Sequence, residues 1–369
     1  MRVLIPNLGS TSLKYQLLET RNEEVLARGK IDRIGGAESL ITAWEAGSAE
    51  ESRAPAHVPD HRAAIKILTE RLACLSAGAN QGGGIEAVGF KAVHGGPRYC
   101  GTFRVDDDLL AAMQDFAAVA PAHNPIYIQA MQIFRELLRG VPMVAVFETG
   151  FHATLPERAY AYGVPQEWRE KYDIRRYGFH GASHRCKSMD TSMGFSPQSG
   201  LEQSSRAGDL DPFVVLHLMA KENLSISDVG KILCKRSGLL GISGVSNDLR
   251  DLEEAASQGQ RGAAVAIEVF VYEVKKYLGA YAAALGGLDA VAFAGGIGEN
   301  SWRIREQVCK GLEFLGLRLD EEVNRKPARG DYIISSPGCP VTALVVHINE
   351  ELIVAREVAK LLEASPAAQ

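Results

Sequence analysis

Long apolar runs and paired cysteines are both missing from this sequence of 369 residues. No stretch approaches the roughly 20 apolar residues that cross a bilayer. The opening strand, Arg2 to Ile5, is too short for the apolar region of a signal peptide. The 6 cysteines are scattered, which argues against a disulfide framework or a structural zinc. We therefore expect a protein of the reducing cytosol, with no membrane partner.

A strong charge imbalance is missing as well. The formal net charge is -5 and the pI is near 6.0, so we expect no nucleic acid as a partner. An anionic substrate must then be held by local groups rather than by the overall field. The chain is too long for one ordinary core and suits two domains of α/β size.

Strands and helices alternate in both halves, which predicts an α/β fold with mixed sheets. The segments Arg2–Ile5 and Ser12–Leu18 predict a β-hairpin, and residues 35–60 are interpreted as an irregular surface excursion. The predicted helices cover residues 61–75, 106–116, 126–138, 165–172, 209–221, 227–236, 262–285, 302–314 and 350–364. The other predicted strands cover residues 85–93, 142–147, 290–294 and 341–347.

The hairpin turn lies in the motif NLGSTSLK at 7–14. Backbone N–H groups and small side chains at Gly9, Ser10 and Ser12 could hold a phosphate, and Lys14 could add a positive charge. The same residue types are usual in a plain hairpin turn, so the local pattern alone does not decide.

A second glycine-rich turn, GGIGEN at 295–300, connects a predicted strand to a predicted helix. Glycines there allow close approach of a nucleotide. Simple strand-to-helix turns look similar, and the spacing differs from that of a dinucleotide fingerprint. Asn300 and Ser301 stand where the N-cap of the next helix belongs.

Several titratable residues fall at predicted strand ends or helix breaks, where α/β proteins bind ligands. Any one histidine there is more often structural than catalytic. Four of the 9 histidines together with a carboxylate nevertheless predict an active site. These residues are His94, His123, His180, His184 and Glu148.

Taken together, NLGSTSLK, VHGG at 93–96, GFHGASH at 178–184 and GGIGEN resemble the acetate kinase family, within the sugar kinase, actin and heat-shock ATPase superfamily. Motifs in the family order run from Met1 to about Ala364. The resemblance implies two domains of the ribonuclease H-like, actin-like ATPase type. These would be an N-terminal domain of residues 1–149 plus 351–369 and a nucleotide-binding domain of residues 150–350.

The resemblance also implies reversible transfer of a phosphoryl group from ATP to acetate or propionate, with Mg²⁺ or Mn²⁺, in a homodimer. The implied catalytic residues are Glu148, His180, Arg206 and His123, and the implied metal site contains Asn7 and Glu350. The implied substrate pocket contains Lys91, Val93, Ala122, Phe179 and Pro197. The implied nucleotide site contains Lys14, Ser10, Ser12, Asp248, Leu249, Arg250, Gly296, Ile297, Gly298, Glu299 and Asn300.

Two positions depart from the family pattern. Lys91 stands where the family has Arg, and a lysine is a point charge rather than a planar fork matched to a carboxylate or phosphate. Glu148 stands where the family has Asp and is one methylene longer. Its carboxylate could order metal-bound waters or contact Lys91, or it could be a buried ion-pair partner without a catalytic role.

A larger departure lies between His184 and Asp190. The family places a helix, a strand ending in HLGxGxS and a return strand there, whereas GASHRC runs directly into KSMD in this chain. Roughly 30–40 residues are absent at typical element lengths. The absent hairpin would hold the β-phosphate, and its first strand would lie in the centre of the second domain's sheet. We expect its loss to expose unpaired backbone and apolar surface.

Three alternatives follow. The missing segment, Lys91 and Glu148 favour a relative that binds nucleotide or dimerises with little turnover. A butyrate-type kinase would be distinguished by a series of acids of increasing chain length. A nucleotide-binding dehydrogenase is poorly supported, because GGIGEN lacks the required layout.

We predict that propionate is used about as well as acetate. Ala122 stands where a larger Leu is common in the family, and an apolar pocket discriminates by only about 1–3 kcal/mol per methylene. Turnover measured on the two acids tests this, and a strong preference for acetate would contradict it.

Overall fold

The computed structural model describes residues 1–77, 84–181, 187–326 and 330–364. The predicted α/β class is confirmed, because mixed sheets are flanked by helices. The strands are β1 (Arg2–Gly9), β2 (Ser12–Glu19), β3 (Glu24–Asp32), β4 (Ser39–Glu45), β5 (Ser52–Ala56), β6 (Ala87–Ala92), β7 (Thr102–Arg104), β8 (Met143–Phe147), β9 (Ala290–Phe293), β10 (Tyr332–Ile333) and β11 (Thr342–Val345).

The longest helix in the described part of the chain is α10, with 25 residues. None of the helices in the described part of the chain is both long and apolar enough to span a membrane. They are α1 (His61–Ala77), α2 (Asp107–Asp115), α3 (Asn124–Leu137), α4 (Glu157–Tyr160), α5 (Gln166–Tyr172), α6 (Pro212–Glu222), α7 (Ile226–Lys235), α8 (Gly238–Ser243), α9 (Leu249–Ser257), α10 (Arg261–Leu285), α11 (Gly295–Asn300), α12 (Trp302–Cys309), α13 (Glu321–Arg325) and α14 (Glu350–Ala364).

The first half is built on an eight-stranded sheet in the order β5-β4-β3-β2-β1-β6-β8-β7. Its central strands β1, β6 and β8 run parallel, and antiparallel strands extend it on both sides. One face packs on α1, α2 and α3 in the largest apolar cluster of the described residues. Parallel strands covered on both faces explain why β8 is apolar and buried along its whole length.

A proline separates two of these parallel strands. β1 pairs with β6 only at Val3 and Leu4, and Pro6 follows two residues later. Proline has no N–H group to donate to a neighbouring strand, so β1 and β6 part at this point. Beyond the parting, Asn7 lines a small pocket together with Lys91, the next-to-last residue of β6. The proline thus opens the sheet beside a predicted site residue.

The second face of the large sheet is covered by α14, which comes from the other end of the sequence. Val354 and Val358 of this helix are buried against Val3, Val144 and Val146 of the sheet. The domain boundaries at residues 149 and 351 stay a prediction. The packing nevertheless brings the first turn of α14, with Glu350, to the sheet near β6.

The second half contains a three-stranded sheet in the order β10-β11-β9, with β9 at its edge. In the described part of this half, α6 buries none of its residues although its sequence is largely apolar. Phe213 is 74% exposed and Leu216 is 58% exposed. This exposed apolar surface and the open strand edge agree with the effect expected from a missing segment.

Three expectations from the sequence were wrong. Residues 35–60 are not irregular, since β4 and β5 extend the sheet through antiparallel pairing. GGIGEN is not an open turn but the short helix α11, so Asn300 belongs to a helix and Ser301 alone is the N-cap of α12. That helix ends at Cys309 rather than Phe314, because a separate 3₁₀ turn follows at Glu313–Leu315.

We predict that Gly89→Ala destabilises the fold by about 1–3 kcal/mol, because added volume in a well-packed core forces neighbours to move. A Cβ on Gly89 would lie 2.8 Å from Val358 Cγ2 and 2.9 Å from Val354 Cγ1. Urea-induced unfolding measures the effect. Gly230→Ala in α7 is the control: a Cβ there meets nothing within 4 Å, so better helix propensity should add up to about 1 kcal/mol. Equal stability of the two variants would contradict the prediction.

Candidate active site

One ammonium group joins two carboxylates where β6, β8 and α14 meet. Lys91 Nζ lies 2.6 Å from Glu350 Oε2 and 3.3 Å from Glu148 Oε1. Glu148 follows β8 directly and is buried, while the Lys91 side chain is 18% exposed. Burial favours the neutral form of Lys91, but the two carboxylates outweigh it and raise its pKa above the ordinary value. Lys91 is therefore a fixed positive charge between two acids.

His180 approaches the same carboxylates from the second half of the chain. Its Nδ1 lies 3.7 Å from Glu148 Oε1, and its side chain is half exposed. Its φ of 62° is unusual for a residue with a side chain. The Gly181 N–H donates to the Glu148 carbonyl at 2.9 Å, and a Cβ on Gly181 would lie 2.5 Å from that oxygen. A glycine at 181 thus lets the turn bring His180 to Glu148.

Glu148, His180 and Glu350 form a possible metal site. One ligand atom from each lies within 4.8 Å of the other two. Carboxylate oxygens are ligands that Mg²⁺ and Mn²⁺ prefer, and an imidazole suits transition metals. The donor set therefore fits a divalent cation. Asn7 lines a small pocket with Lys91 and Glu350, and its Oδ1 accepts a hydrogen bond from the Tyr127 hydroxyl at 3.4 Å.

The N-terminal hairpin lies next to this pocket. Lys14 pairs with Asn7 across the hairpin, and both line a groove of about 300 Å³. Ser10 and Thr11 form the two-residue turn, and Ser12 begins β2. The structure thus places Lys14 on β2 directly opposite Asn7 on β1, with the turn at the end of the same hairpin.

A second pair of predicted catalytic residues, Arg206 and His123, also lies together. Arg206 Nη2 lies 3.5 Å from His123 Nε2, and Arg206 Nη1 donates to the Pro197 carbonyl at 3.3 Å. His123 precedes α3, whose start is fixed by the buried Asn124 side chain donating to the carbonyls of His94 and Met113. The pair therefore links the two halves of the chain.

Two of the predicted site histidines, His94 after β6 and His123 before α3, are held neutral. Burial lowers the pKa of His94 to about 4. Burial also lowers the pKa of His123 to about 4, and the positive charges of Arg206 and Lys91 add to the effect. His94 is fully buried, stacks on Phe116 and accepts a hydrogen bond from the Gly96 N–H. His94 is structural, whereas His123 faces Arg206.

The predicted substrate pocket is only partly assembled. Val93 and Phe179 are buried in one apolar cluster with Ala120 and Tyr177. Pro197 is buried and is connected to the site through Arg206, but Ala122 is exposed. His184, like the rest of residues 182–186, lies outside the described residues.

The predicted adenosine residues line a separate cleft of about 580 Å³ between α9 and α11. Asp248 caps α9, and hydrogen bonds from the side chain and then the backbone N–H of Arg250 lower the pKa of Asp248 to about 2. Gly298 and Glu299 serve as structural contacts, since the carbonyl oxygens of both accept from Arg305. The predicted residues in the lining are Asp248, Leu249, Arg250, Gly296, Ile297 and Asn300.

Two short connections lead from the cleft, one to the Arg206–His123 pair and one to Glu350. Ser204 lines the cleft, and Arg206, two residues later, contacts His123. Glu299 of α11 accepts a hydrogen bond from the Ile348 N–H at 3.3 Å, two residues before Glu350. This cleft, the Arg206–His123 pair and Glu350 are therefore connected by short segments of the chain.

Three residues with a role in this geometry were missed from the sequence. His152 is buried, and its ring nitrogens contact the Ser188 hydroxyl at 2.8 Å and the Phe179 carbonyl at 3.0 Å. It thereby supports the residue before His180, and its position four residues after Glu148 was the available signal. Tyr127 contacts Asn7, and Trp302 lines the cleft, but neither stands in a motif that singled it out.

A model of the acetokinase family matches residues 2–186 and 185–356. The chain belongs to the acetokinase family. It is 42% identical over 398 aligned positions to an acetate kinase of Desulforamulus reducens, covering 98% of this chain and 100% of the relative. It is also 42% identical over 401 positions to an acetate kinase of Thermotoga maritima, covering 98% of this chain and 99% of that relative.

Solved structures of an acetate kinase and a propionate kinase share this fold. The crystal structure of Porphyromonas gingivalis acetate kinase matches with a TM-score of 0.84 at 33% identity, over 98% of this chain and 99% of that chain. The crystal structure of a propionate kinase from Francisella tularensis matches with a TM-score of 0.88 at 29% identity, over 96% of this chain and 98% of that chain.

The family match is interrupted where the sequence predicts a missing segment. The two matched stretches meet at residues 185 and 186. The alignment with the Desulforamulus protein is longer than this chain, so that relative contains residues without a counterpart here. Both findings agree with a segment absent between Cys186 and Lys187. The chain after this point is tied back by Ser188, whose N–H donates to Thr154 Oγ1 at 3.3 Å.

We predict that protonation of His94 on its own lowers the free energy of unfolding by about 2 kcal/mol between pH 7 and pH 5. Its folded pKa of about 4 lies below the unfolded value near 6.5. The unfolded chain therefore binds the extra proton in that window, and stability decreases as the pH falls.

Urea unfolding at the two pH values, for the parent and for His94→Gln, isolates this contribution. The variant should lose less stability than the parent on acidification. His217→Gln, on the exposed face of α6, should behave as the parent does. The same decrease in all three proteins would show that His94 is not responsible.

Proposed function

We propose that this chain transfers the γ-phosphoryl group of ATP to acetate or propionate, forming an acyl phosphate and ADP, and that it catalyses the reverse reaction. The observation that carries the proposal is the cluster of charged and polar side chains, with a separate cleft of about 580 Å³ connected to it. The cluster comprises Lys91, Glu148, Glu350, His180 and the Arg206–His123 pair. Phosphoryl transfer needs positioning and charge neutralisation more than covalent chemistry, and this group of side chains offers both. Membership of the acetokinase family supports the same reaction.

The reaction balances without a proton transfer. A carboxylate oxygen of the substrate forms a bond to the γ-phosphorus, and the bond from that phosphorus to the ADP oxygen breaks. Negative charge is spread over the phosphoryl oxygens in the transition state. We infer that Arg206 and His180 donate hydrogen bonds to those oxygens, and that His123 orients Arg206. Arg206 can do so because Pro197 and His123 already restrict its guanidinium group.

Substrate binding is assigned to the residues next to this pair. Lys91 would attract the substrate carboxylate, and Val93 and Phe179 would contact its alkyl group. Ala122 and Pro197 complete the proposed pocket, although Ala122 is exposed in this structure. We assign the nucleotide phosphates to Lys14 and the turn at Ser10–Ser12. Adenosine is assigned to the cleft that contains Asp248, Leu249, Arg250 and the α11 residues.

Mg²⁺, or Mn²⁺ in its place, is the proposed cofactor. Glu148 and Glu350 would hold it, with Asn7 close by, because these side chains offer oxygen atoms near one another. When bound, the ion would neutralise charge on the phosphate oxygens. A homodimer in the cytosol completes the proposal, in line with the expectations from composition and family.

A weakly active relative is the second candidate. It is favoured by the interruption of the family match at residues 185 and 186, since the absent segment is expected to hold the β-phosphate. The exposed apolar side chains of α6 point the same way. Such a protein would still bind nucleotide in the 580 Å³ cleft.

We predict hydroxamate formation when purified protein is incubated with ATP, Mg²⁺, acetate and hydroxylamine, because acyl phosphates are trapped by hydroxylamine. Arg206→Gln should reduce the signal by roughly 100-fold or more, since it removes a charged donor to the phosphoryl group. This variant also controls for a contaminating kinase. A folded parent that binds ATP but gives no hydroxamate would overturn the proposed activity and support the second candidate.

A further inference from the structure

The ammonium group of Lys91 occupies the space between the two carboxylates that would bind a divalent cation. It is 2.6 Å from Glu350 Oε2 and 3.3 Å from Glu148 Oε1, and these acids also belong to the possible metal site. Mg²⁺ lies about 2.0–2.1 Å from such oxygens. An ion sharing these oxygens with an ammonium at the observed distances would place two cations side by side.

We propose that Lys91 is an internal competitor of the divalent cation. It neutralises Glu148 and Glu350 in the ion-free protein and has to be displaced before an ion can contact both acids. The proposal rests on the metal site assigned under the proposed function, but it concerns ion binding and requires no turnover.

The charge balance of the cluster supports this role. The two carboxylates and Lys91 together carry one net negative charge, whereas the carboxylates alone carry two. The side chains of Glu148 and Lys91 are largely buried, with exposures of 6% and 18%. Screening by solvent is weak at such sites, so one unit of charge at contact distance changes ion affinity strongly.

The position of Lys91 makes displacement possible. It lies near the end of β6, where β1 has separated from that strand, and it lines the small pocket with Asn7. The side chain is unbranched and flexible, so the ammonium can leave the carboxylates without movement of the sheet. A displaced Lys91 remains inside the site, where it can meet the negative charge of the substrate. Ion entry and anion binding would then use the same lysine in succession.

Direct titration of Mn²⁺ tests the proposal, with free Mn²⁺ followed by electron paramagnetic resonance in the absence of nucleotide and acetate. Lys91→Gln and Lys91→Met should bind Mn²⁺ at least about tenfold more tightly than the parent, because the competing charge is gone. Methionine keeps the length of the side chain, so the test survives if glutamine prevents folding. Circular dichroism verifies that each variant is folded.

Three further variants act as controls. Lys91→Arg keeps the charge and should stay much closer to the parent than to the neutral variants. Lys231→Gln removes an exposed charge from α7, outside the proposed site, and should have little effect. Adding Glu148→Gln to Lys91→Met should remove the gain, since it removes a proposed ligand.

Unchanged or weaker Mn²⁺ binding in the folded neutral variants would overturn the proposal. So would an equal gain in Lys231→Gln, which would point to overall charge, or a gain that survives Glu148→Gln. A negative hydroxamate assay with tighter Mn²⁺ binding in the neutral variants would reject the proposed activity and leave this inference standing. Hydroxamate formation without tighter Mn²⁺ binding in the neutral variants would support the proposed activity and reject this inference.

Discussion

The contact of Lys91 with Glu148 and Glu350 is the interaction on which the site depends. It joins the ends of β6 and β8 to the first turn of α14, and Lys91 and Glu350 are 259 residues apart in sequence. Removing one partner from such a buried group leaves an uncompensated charge, which is strongly destabilising. Glu148 also approaches His180, so the same cluster contacts the second half of the chain.

Local signals in the sequence predicted the central elements well. Apolar runs identified β6 and β8, and a glutamate-led periodic segment identified α14 to the residue. The edge strands β4 and β5 were missed because every residue of β5 is at least partly exposed, so no alternation of apolar and polar residues marks it. Pairing between backbones, which carries no side-chain signature, forms that edge.

The candidate site was predictable as a set of motifs but not as a geometry. Family motifs selected Glu148, His180, Arg206 and His123, and the structure brings all of them into two neighbouring contacts. The supporting role of His152 and the pairing of Lys91 with Glu350 depend on long-range packing that no local pattern encodes. Helix α11 was missed since its glycines suggest a turn, whereas hydrogen bonds from Gly295 and Asn300 stabilise a helical turn.

The dual position of α14 has a consequence for the order of events during synthesis. Residues 354–358 cover one face of the large sheet, and Glu350 on the same helix completes the charged cluster. A nascent chain that has released only its first half therefore exposes the apolar face of Val3, Val144 and Val146 and carries Lys91 with one carboxylate instead of two. The first half must wait for the last helix to leave the ribosome before it can close. Protection by a chaperone during that interval would matter more for this chain than for one whose large sheet is covered only by helices close to it in sequence.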